Sequence, residues 1–421
     1  MTQMQPTVVI GGGLAGLTAA RALRRAGVGV RVLEAAGEVG GRVRSRVLDG
    51  FTLDRGFQVL FTAYPAVGRE LDLARLDLVT LPPGAVIMSP GGRERVGDPV
   101  RDPKSLPTTL RARTFSLKDK LLVGKLAAEL SGVPAAHLLL GDDEPTGDFL
   151  RRFGFSERAI GRFFAPFFGG IFLKRDLSTS ARLFRYYFRM LLSGRTTLPR
   201  GGMGRVTQGL AEGLDVTLGA RVEALSARED GVTVRLADGT LEASRVIVAT
   251  DPPEVARLTG VSAPSALTGV GSTYLYFAAT RPLDDERRLL LNAEPGVINN
   301  AIWVSNVNPL LAPEGQHLLV VTVLGVPEDD AALETAVRAE LGAWYGMAAA
   351  ALRLLAVERI PFAQFAQPPG FAAHLLPHRT PLPNVVIASE ATSMSSIQGA
   401  MESGEQAAAC LLGRGGRARG A

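Results

Sequence analysis

The sequence predicts an α/β fold. Three stretches predict it: Thr7 to Ile10, followed by a glycine turn and a helix of apolar periodicity; the short alternating strands between Asp215 and Thr250; and a strand at Asn384 to Ala388 that leads into a helix ending near Leu412. With 421 residues, the chain has room for two or three compact units at roughly 150 residues each. Gly and Pro number 48 and 26, and 46% of residues are hydrophobic. Neither a collagen-like repeat nor a disordered chain has that composition.

The opening elements follow from their residues. Thr7 to Ile10 is a β-branched run, after which Gly11, Gly12, Gly13, Leu14, Ala15 and Gly16 open a helix carrying Leu17, Ala20 and Leu23 that ends at Gly27. Gly11 suits the tight turn, Gly13 lets backbone approach a pyrophosphate, and Gly16 lets helix and strand lie close. The helix N-terminus presents about half a positive charge to such a phosphate. A second strand, Val28 to Leu33, ends at Glu34, close to the roughly 20-residue spacing at which an acid meets the ribose hydroxyls of a dinucleotide. An acid there disfavours NADP and leaves NAD and FAD open.

The stretch Glu34, Ala35, three intervening residues, Val39, Gly40, Gly41 and Arg42 separates the two. At this point the sequence resembles the FAD-dependent amine oxidase superfamily, which includes monoamine and polyamine oxidases, protoporphyrinogen oxidases and phytoene desaturases. The resemblance implies a non-covalent FAD in a Rossmann-like domain, cradled by Gly11, Gly13, Leu14, Ala15, Gly16, Glu34 and Ala35, with Gly41 and Arg42 against the phosphates. It also implies that Asp54 to Gln58, with Gly56, Phe57 and Gln58, passes the flavin ring.

From Asp215 to Thr250 the pattern reads as a β-meander of Val222 to Leu225, Val232 to Leu236 and Val246 to Ala249, with turns at Asp230-Gly231 and Asp238-Gly239. By resemblance Val222 lends its backbone to adenine. Near the C-terminal end, Glu390 resembles the carboxylate on the ribityl chain. The helix starting around Ile397, Gln398 and Ala400 resembles the one whose N-terminus faces the flavin pyrimidine, where its dipole stabilises the charge of the reduced ring. Ser389 stands where the family usually has glycine, a departure that predicts a small local shift.

The resemblance thus makes the FAD-binding domain discontinuous, from residues 1–81, 200–260 and 378–415. Residues 82–199 and 261–377 then form an α+β substrate-binding domain, and 416–421 a flexible tail. Ten of the 18 phenylalanines lie between Phe149 and Phe188. They suit either a helical core or the lining of an apolar pocket, and an exposed part could rest on a membrane. The amine-oxidising branch places a lysine near the reactive flavin nitrogen. The five lysines here, Lys104, Lys118, Lys120, Lys125 and Lys174, all lie outside the second insertion, and Ser396 stands where that branch commonly has an aromatic.

These departures favour hydride removal from a hydrophobic small molecule, as in phytoene desaturases. Amine or protoporphyrinogen oxidation, a flavin-dependent isomerase and a non-catalytic binding protein that keeps the fold are the alternatives. No catalytic acid or base is singled out, and the electron acceptor and oligomeric state are not legible. Cys410 is the only cysteine; disulfides and Cys-based zinc sites are excluded, and its place inside a helix disfavours a covalent flavin. His374 and His378 have the spacing of helical metal ligands, but Pro377 breaks the helix that would align them, so no metal is expected. The net charge of +5 comes mostly from arginines scattered along the chain, unlike a nucleic-acid-binding stripe. No apolar run reaches the roughly 18 residues of a membrane span, and no export signal precedes the first strand. A cytoplasmic protein, with peripheral membrane contact allowed, is the expectation.

Overall fold

The computed structural model describes residues 5–90 and 92–413; the expected tail lies outside the described residues. Thr7–Ile10 forms the centre of a five-stranded parallel sheet, in the order Asp215–Leu218, Val30–Glu34, Thr7–Ile10, Arg245–Val248, Val385–Ile387. Val8, Val9, Val246, Ile247 and Val248 are buried, as continuous apolar strands in a sheet covered on both faces must be. The sheet therefore draws its strands from three distant parts of the chain. The helices Leu14–Arg25 and Ile397–Leu411 lie against each other beside it, and Gly404 permits the approach: a Cβ there would stand 2.3 Å from the Ala15 carbonyl oxygen.

Two details differ from the sequence expectation. The second strand begins at Val30 rather than Val28, because the chain first closes the helix with a turn in which the Val28 N–H donates to the Leu23 carbonyl. The meander consists of Val222–Arg228, Gly231–Leu236 and Gly239–Ala243; the stretch after it, expected as its last strand, leaves the meander and pairs in parallel with both Thr7–Ile10 and Val385–Ile387.

A second, seven-stranded mixed sheet runs in the order Arg353–Phe365, Gly269–Ala279, His317–Leu324, Ile298–Trp303, Leu289–Asn292, Gly84–Ser89, Gly92–Gly97. One face carries the helix Asp330–Tyr345, whose Leu333, Val337 and Leu341 join Leu275, Phe277 and Trp303 in a core of their own. Helices Leu117–Ser131, Thr146–Phe153, Ala165–Phe172 and Ala181–Ser193 form the remaining layer. Strand Thr196–Pro199 pairs with both Leu60–Phe61 and Leu78–Thr80, which ties this layer back to the N-terminal part of the chain.

The aromatic cluster explains the shape of the helical layer. Pro166 has no N–H to donate and its ring crowds the preceding turn; the chain widens there into a π-helical turn over Ile160–Phe164. Phe164 sits at the middle of the cluster, its ring 4.8 Å from Phe155 and within contact of Phe115, Phe163, Phe168 and Phe184. Phe149, Phe155, Phe164, Phe168, Phe172 and Phe184 are buried. Six of the ten rings are thus buried, five of the ten also line the cavity of the candidate site, and none is among the exposed large hydrophobic side chains.

Candidate functional site

The glycine turn after the first strand sets the site. Gly11 has φ +108, and a Cβ there would meet the Ala249 carbonyl oxygen at 2.4 Å; the turn is open to glycine alone. Gly13 precedes the helix as its cap residue, with no side chain capping it, so the first N–H groups of that helix keep their donors for a ligand. A Cβ on Gly13 would meet nothing within 4 Å. It faces open space.

That space is one continuous cavity of about 1350 Å³. At one end it is lined by Gly11, Gly13, Leu14, Ala15, Glu34, Gly41, Arg42, Glu390, Ile397 and Ala400, with Phe57 and Gln58 further in. Twelve of the residues expected at the cofactor are therefore gathered on one surface. Gly16, Ala35, Gly56, Val222 and Gln398 do not line it, and each omission has a cause where contacts are known. Gly16 serves helix-to-strand packing, since its Cβ would stand 2.0 Å from the Gly11 carbonyl oxygen. Gly56 lies under the ring of Tyr274. Gln398 is buried and its Oε1 accepts from the Ala66 N–H at 2.8 Å. Val222 is buried in the meander, its carbonyl accepting from Arg257.

The polar groups at this end are held in place by one another. Glu34 Oε2 accepts from the Gly12 N–H at 2.6 Å and Oε1 from the Ala36 N–H at 2.8 Å. Arg42 donates from Nη1 to Glu390 Oε1 at 2.6 Å and to the Ala363 carbonyl at 2.8 Å, and its guanidinium lies 5.8 Å from the centre of the Phe362 ring. Glu390 Oε2 in turn accepts from Ser395 Oγ at 2.9 Å. Gln58 Nε2 donates to the Arg42 carbonyl at 2.9 Å. Ser396 caps the final helix by accepting from the Gly399 N–H at 2.9 Å. Ser389 adopts an extended backbone with φ −143, which any residue can take.

An FAD fits these donors and acceptors. An open glycine cradle at an uncapped helix N-terminus and the Arg42 guanidinium suit a diphosphate, and the Glu34 carboxylate suits ribose hydroxyls. The cavity also contains buried acceptors with no donor, Gln58 Oε1 and Gln364 Oε1. Leaving a buried acceptor unpaired costs ~1–3 kcal/mol, and an N–H on a bound ring would relieve it.

Beyond this end the lining changes character. Phe163, Phe164, Phe167, Phe168, Phe188, Leu191 and Leu192 come from the helical layer, and Tyr274, Asn300, Thr322, Ile360 and Phe362 from the large sheet. Burial pushes the Tyr187 hydroxyl up to about 12, with the hydroxyls of Ser396 and Tyr64, as donors to its oxygen, opposing the shift. Burial likewise raises the Tyr274 hydroxyl. Both stay protonated at neutral pH. The carboxylates of the cavity are Glu34, Asp98, Asp251, Glu254 and Glu390; the charge of Glu390 reaches Tyr187, and this carboxylate is already paired with Arg42. Lys120 is the lysine of the lining, donating to the Leu110 and Ala112 carbonyls. His378 uses both ring nitrogens, against the Ile387 carbonyl at 2.8 Å and Gln406 Oε1 at 3.1 Å, so it is a structural residue. Cys410 lies in the last helix, outside the cavity lining.

The sequence did not announce Tyr274, Asn300, Thr322 or Gln364. They come from strands of the large sheet, and only the strand register decides which of their side chains face the cavity.

Residues 14–412 match the family model described as flavin containing amine oxidoreductase. The fold is similar to that of putrescine oxidase bound to putrescine, with TM-score 0.70 and 21% identity over 98% of this chain and 99% of that one. It is also similar to a candidate protoporphyrinogen oxidase from Exiguobacterium sp. 255-15, with TM-score 0.74 and 20% identity over 98% of this chain and all of that one, 100%. In sequence, a stretch of 64 residues is 44% identical to protoporphyrinogen oxidase 2, chloroplastic/mitochondrial, of Arabidopsis thaliana; it spans 15% of this chain and 13% of the plant protein.

Proposed function

The chain belongs to the flavin-containing amine oxidoreductase family, and from that premise we propose that it is an FAD-dependent oxidoreductase that removes hydride from an apolar small molecule, leaving a new double bond. The observation that carries this reading is the lining beyond the cofactor end: aromatic and aliphatic walls with Asn300, Thr322 and Gln364 as uncharged polar groups, while Glu390, the carboxylate whose charge reaches Tyr187, is already engaged by Arg42 and Ser395. A protonated amine brought there would be desolvated beside a carboxylate that Arg42 already neutralises, which costs several kcal/mol. An apolar molecule loses nothing by the same transfer and gains from it.

FAD, when bound, supplies the two-electron chemistry. The residues of this chain do the rest. Gly13, the first helix, Glu34 and Arg42 anchor the dinucleotide end. Gln58 and Gln364 offer their unused acceptors, and the ring of phenylalanines excludes water and aligns the substrate. No side chain in the inner cavity is poised as a base at neutral pH, since the tyrosines there are held protonated by burial. The reaction drawn from these walls is therefore removal of hydride from carbon, with the proton of the adjacent carbon leaving to solvent water through the open mouth of the cavity.

A second reading is supported by the outer end. Arg101 and Lys120 line the cavity there, and two cations suit the propionate carboxylates of a porphyrinogen; the local identity to the plant protoporphyrinogen oxidase points the same way. Anaerobic mixing of the FAD-loaded protein with an apolar polyene, a porphyrinogen or a primary amine separates these readings. Bleaching of the oxidised flavin band by the polyene, and not by the amine, is expected. Bleaching by the amine alone would overturn the apolar reading.

A further inference from the structure

The cavity reaches the surface beside the helix Leu117–Ser131. Leu117, Leu121, Gly124 and Ala128 recur along one face of that helix at spacings of four, three and four residues. The two leucines are 72% and 69% exposed, while Gly124 and Ala128 line the cavity mouth. The segment before the helix adds Val100, Leu106 and Leu110, which are 90%, 45% and 57% exposed and line the same mouth. Lys120 joins the two parts by donating to the Leu110 carbonyl. Five large apolar side chains thus gather around one opening, where a protein surface facing water scatters them singly.

The charge around this patch is predominantly positive. From Val100 to Lys125 the exposed charged side chains are Arg101, Lys104, Arg111, Arg113, Lys118 and Lys125. The two acids of the stretch are withdrawn: Asp102 is half-buried and paired with Arg288 at 2.6 Å, and Asp119 is buried and accepts from Ser116 and Ser156. Lys125 reaches Glu129 in the next turn at 3.7 Å. Lys104, Arg111, Arg113 and Lys118 have no ion-pair partner among the described residues.

We propose that this face seats on an anionic lipid surface, with the leucines in the boundary between headgroups and acyl chains, the cations among the phosphates, and the cavity mouth opening onto the bilayer. Cations spread around an apolar centre match the diffuse charge of a membrane surface, where each contributes a little and the apolar side chains fix the depth. A helix that lies in the interface this way need not span, and no helix among the described residues is long and apolar enough to cross a membrane. That the substrate enters from the lipid rests on the apolar function proposed above; the seating itself does not.

Sedimentation of the full, FAD-loaded chain with vesicles is the test. The chain is expected to pellet with vesicles of phosphatidylcholine containing about a third phosphatidylglycerol at low salt, and to be released by high salt. Leu117→Glu with Leu121→Glu, and separately Arg113→Glu with Lys118→Glu, should each lower the bound fraction about tenfold or more. These side chains are exposed, so flavin absorbance and melting temperature should stay at the parent values. Parent protein that remains in the supernatant with the anionic vesicles overturns the proposal, as does either double variant pelleting like the parent. If the seating holds and no apolar substrate bleaches the flavin, the functional reading fails alone.

Discussion

Asp54 is buried just ahead of the segment that carries Phe57 and Gln58 into the cavity. Its Oδ1 accepts from Ser45 Oγ at 2.5 Å and from the Met203 N–H at 2.8 Å, yet burial outweighs both and raises its pKa to about 6. A carboxyl that titrates higher in the folded chain than in the unfolded one binds its proton more tightly when folded. Stability therefore falls as pH rises from about 4 through about 6 and stays lower above that window. Asp54→Asn keeps an acceptor for the Met203 N–H and has no charge to desolvate. Its melting temperature relative to the parent should be higher at about pH 8 than at about pH 4, by the equivalent of roughly 2 kcal/mol; the same difference at both pH values would remove burial as the cause.

Two further residues decide cofactor affinity. Glu34→Ala deletes the acceptor assigned to ribose, and Arg42→Ala deletes the cation assigned to the diphosphate. Each change should weaken FAD binding about tenfold or more, read from the flavin-to-protein absorbance ratio after gel filtration. Arg42→Ala should also cost stability, because it strips the buried Glu390 carboxylate of its partner. Full flavin occupancy in both variants would contradict the site.

At the scale of elements, the helical layer separates packing from function. Phe164 and Phe167 both line the cavity, but Phe164 is fully buried among other rings whereas Phe167 is only partly buried. Phe164→Ala should cost about 3–5 kcal/mol in a denaturant titration. Phe167→Ala should cost less stability and instead weaken binding of an apolar substrate. Equal losses of stability would mean that both rings are core. The contact between the first and last helices makes a sharper demand: Gly404→Val would push atoms into the Ala15 carbonyl, so a lowered melting temperature and poor flavin retention should appear together.

How far these elements were legible depended on the range of the interaction that fixes them. The glycine turn, Glu34, Arg42 and the final helix are local patterns, and the structure brings them onto one cavity surface. Arg245–Val248 was misassigned to the meander because its partners lie more than a hundred residues away in both directions, although its unbroken Arg-Val-Ile-Val run, without alternation, was the mark of a parallel strand covered on both faces. The exposed leucines of Leu117–Ser131 were invisible for a related reason. Apolar periodicity says that a helix has an apolar face; only the fold says which apolar side chains find no partner.

For the whole molecule, the cofactor end is walled by parts of the chain that are covalently remote: Gly13, Arg42, Thr250 and Glu390 all line it. A ligand gripped by all of them binds only the assembled fold, so it stabilises by mass action, about 2.7 kcal/mol at a hundredfold excess over its dissociation constant. Calorimetry of protein stripped of flavin and then reloaded should show one transition moving to higher temperature as FAD is added. A melting temperature indifferent to FAD would mean that these segments do not share the ligand.

The late position of the strand Val385–Ile387 and the helix after it has a consequence for biosynthesis. The opening strand, its glycine turn and Glu34 leave the ribosome some 350 residues before the sheet edge and the helix that complete the groove. Nascent chains must carry an unfinished groove through that whole interval. Flavin capture cannot precede the emergence of that last helix, and the interval before it is when proteases and chaperones have their best access to this chain.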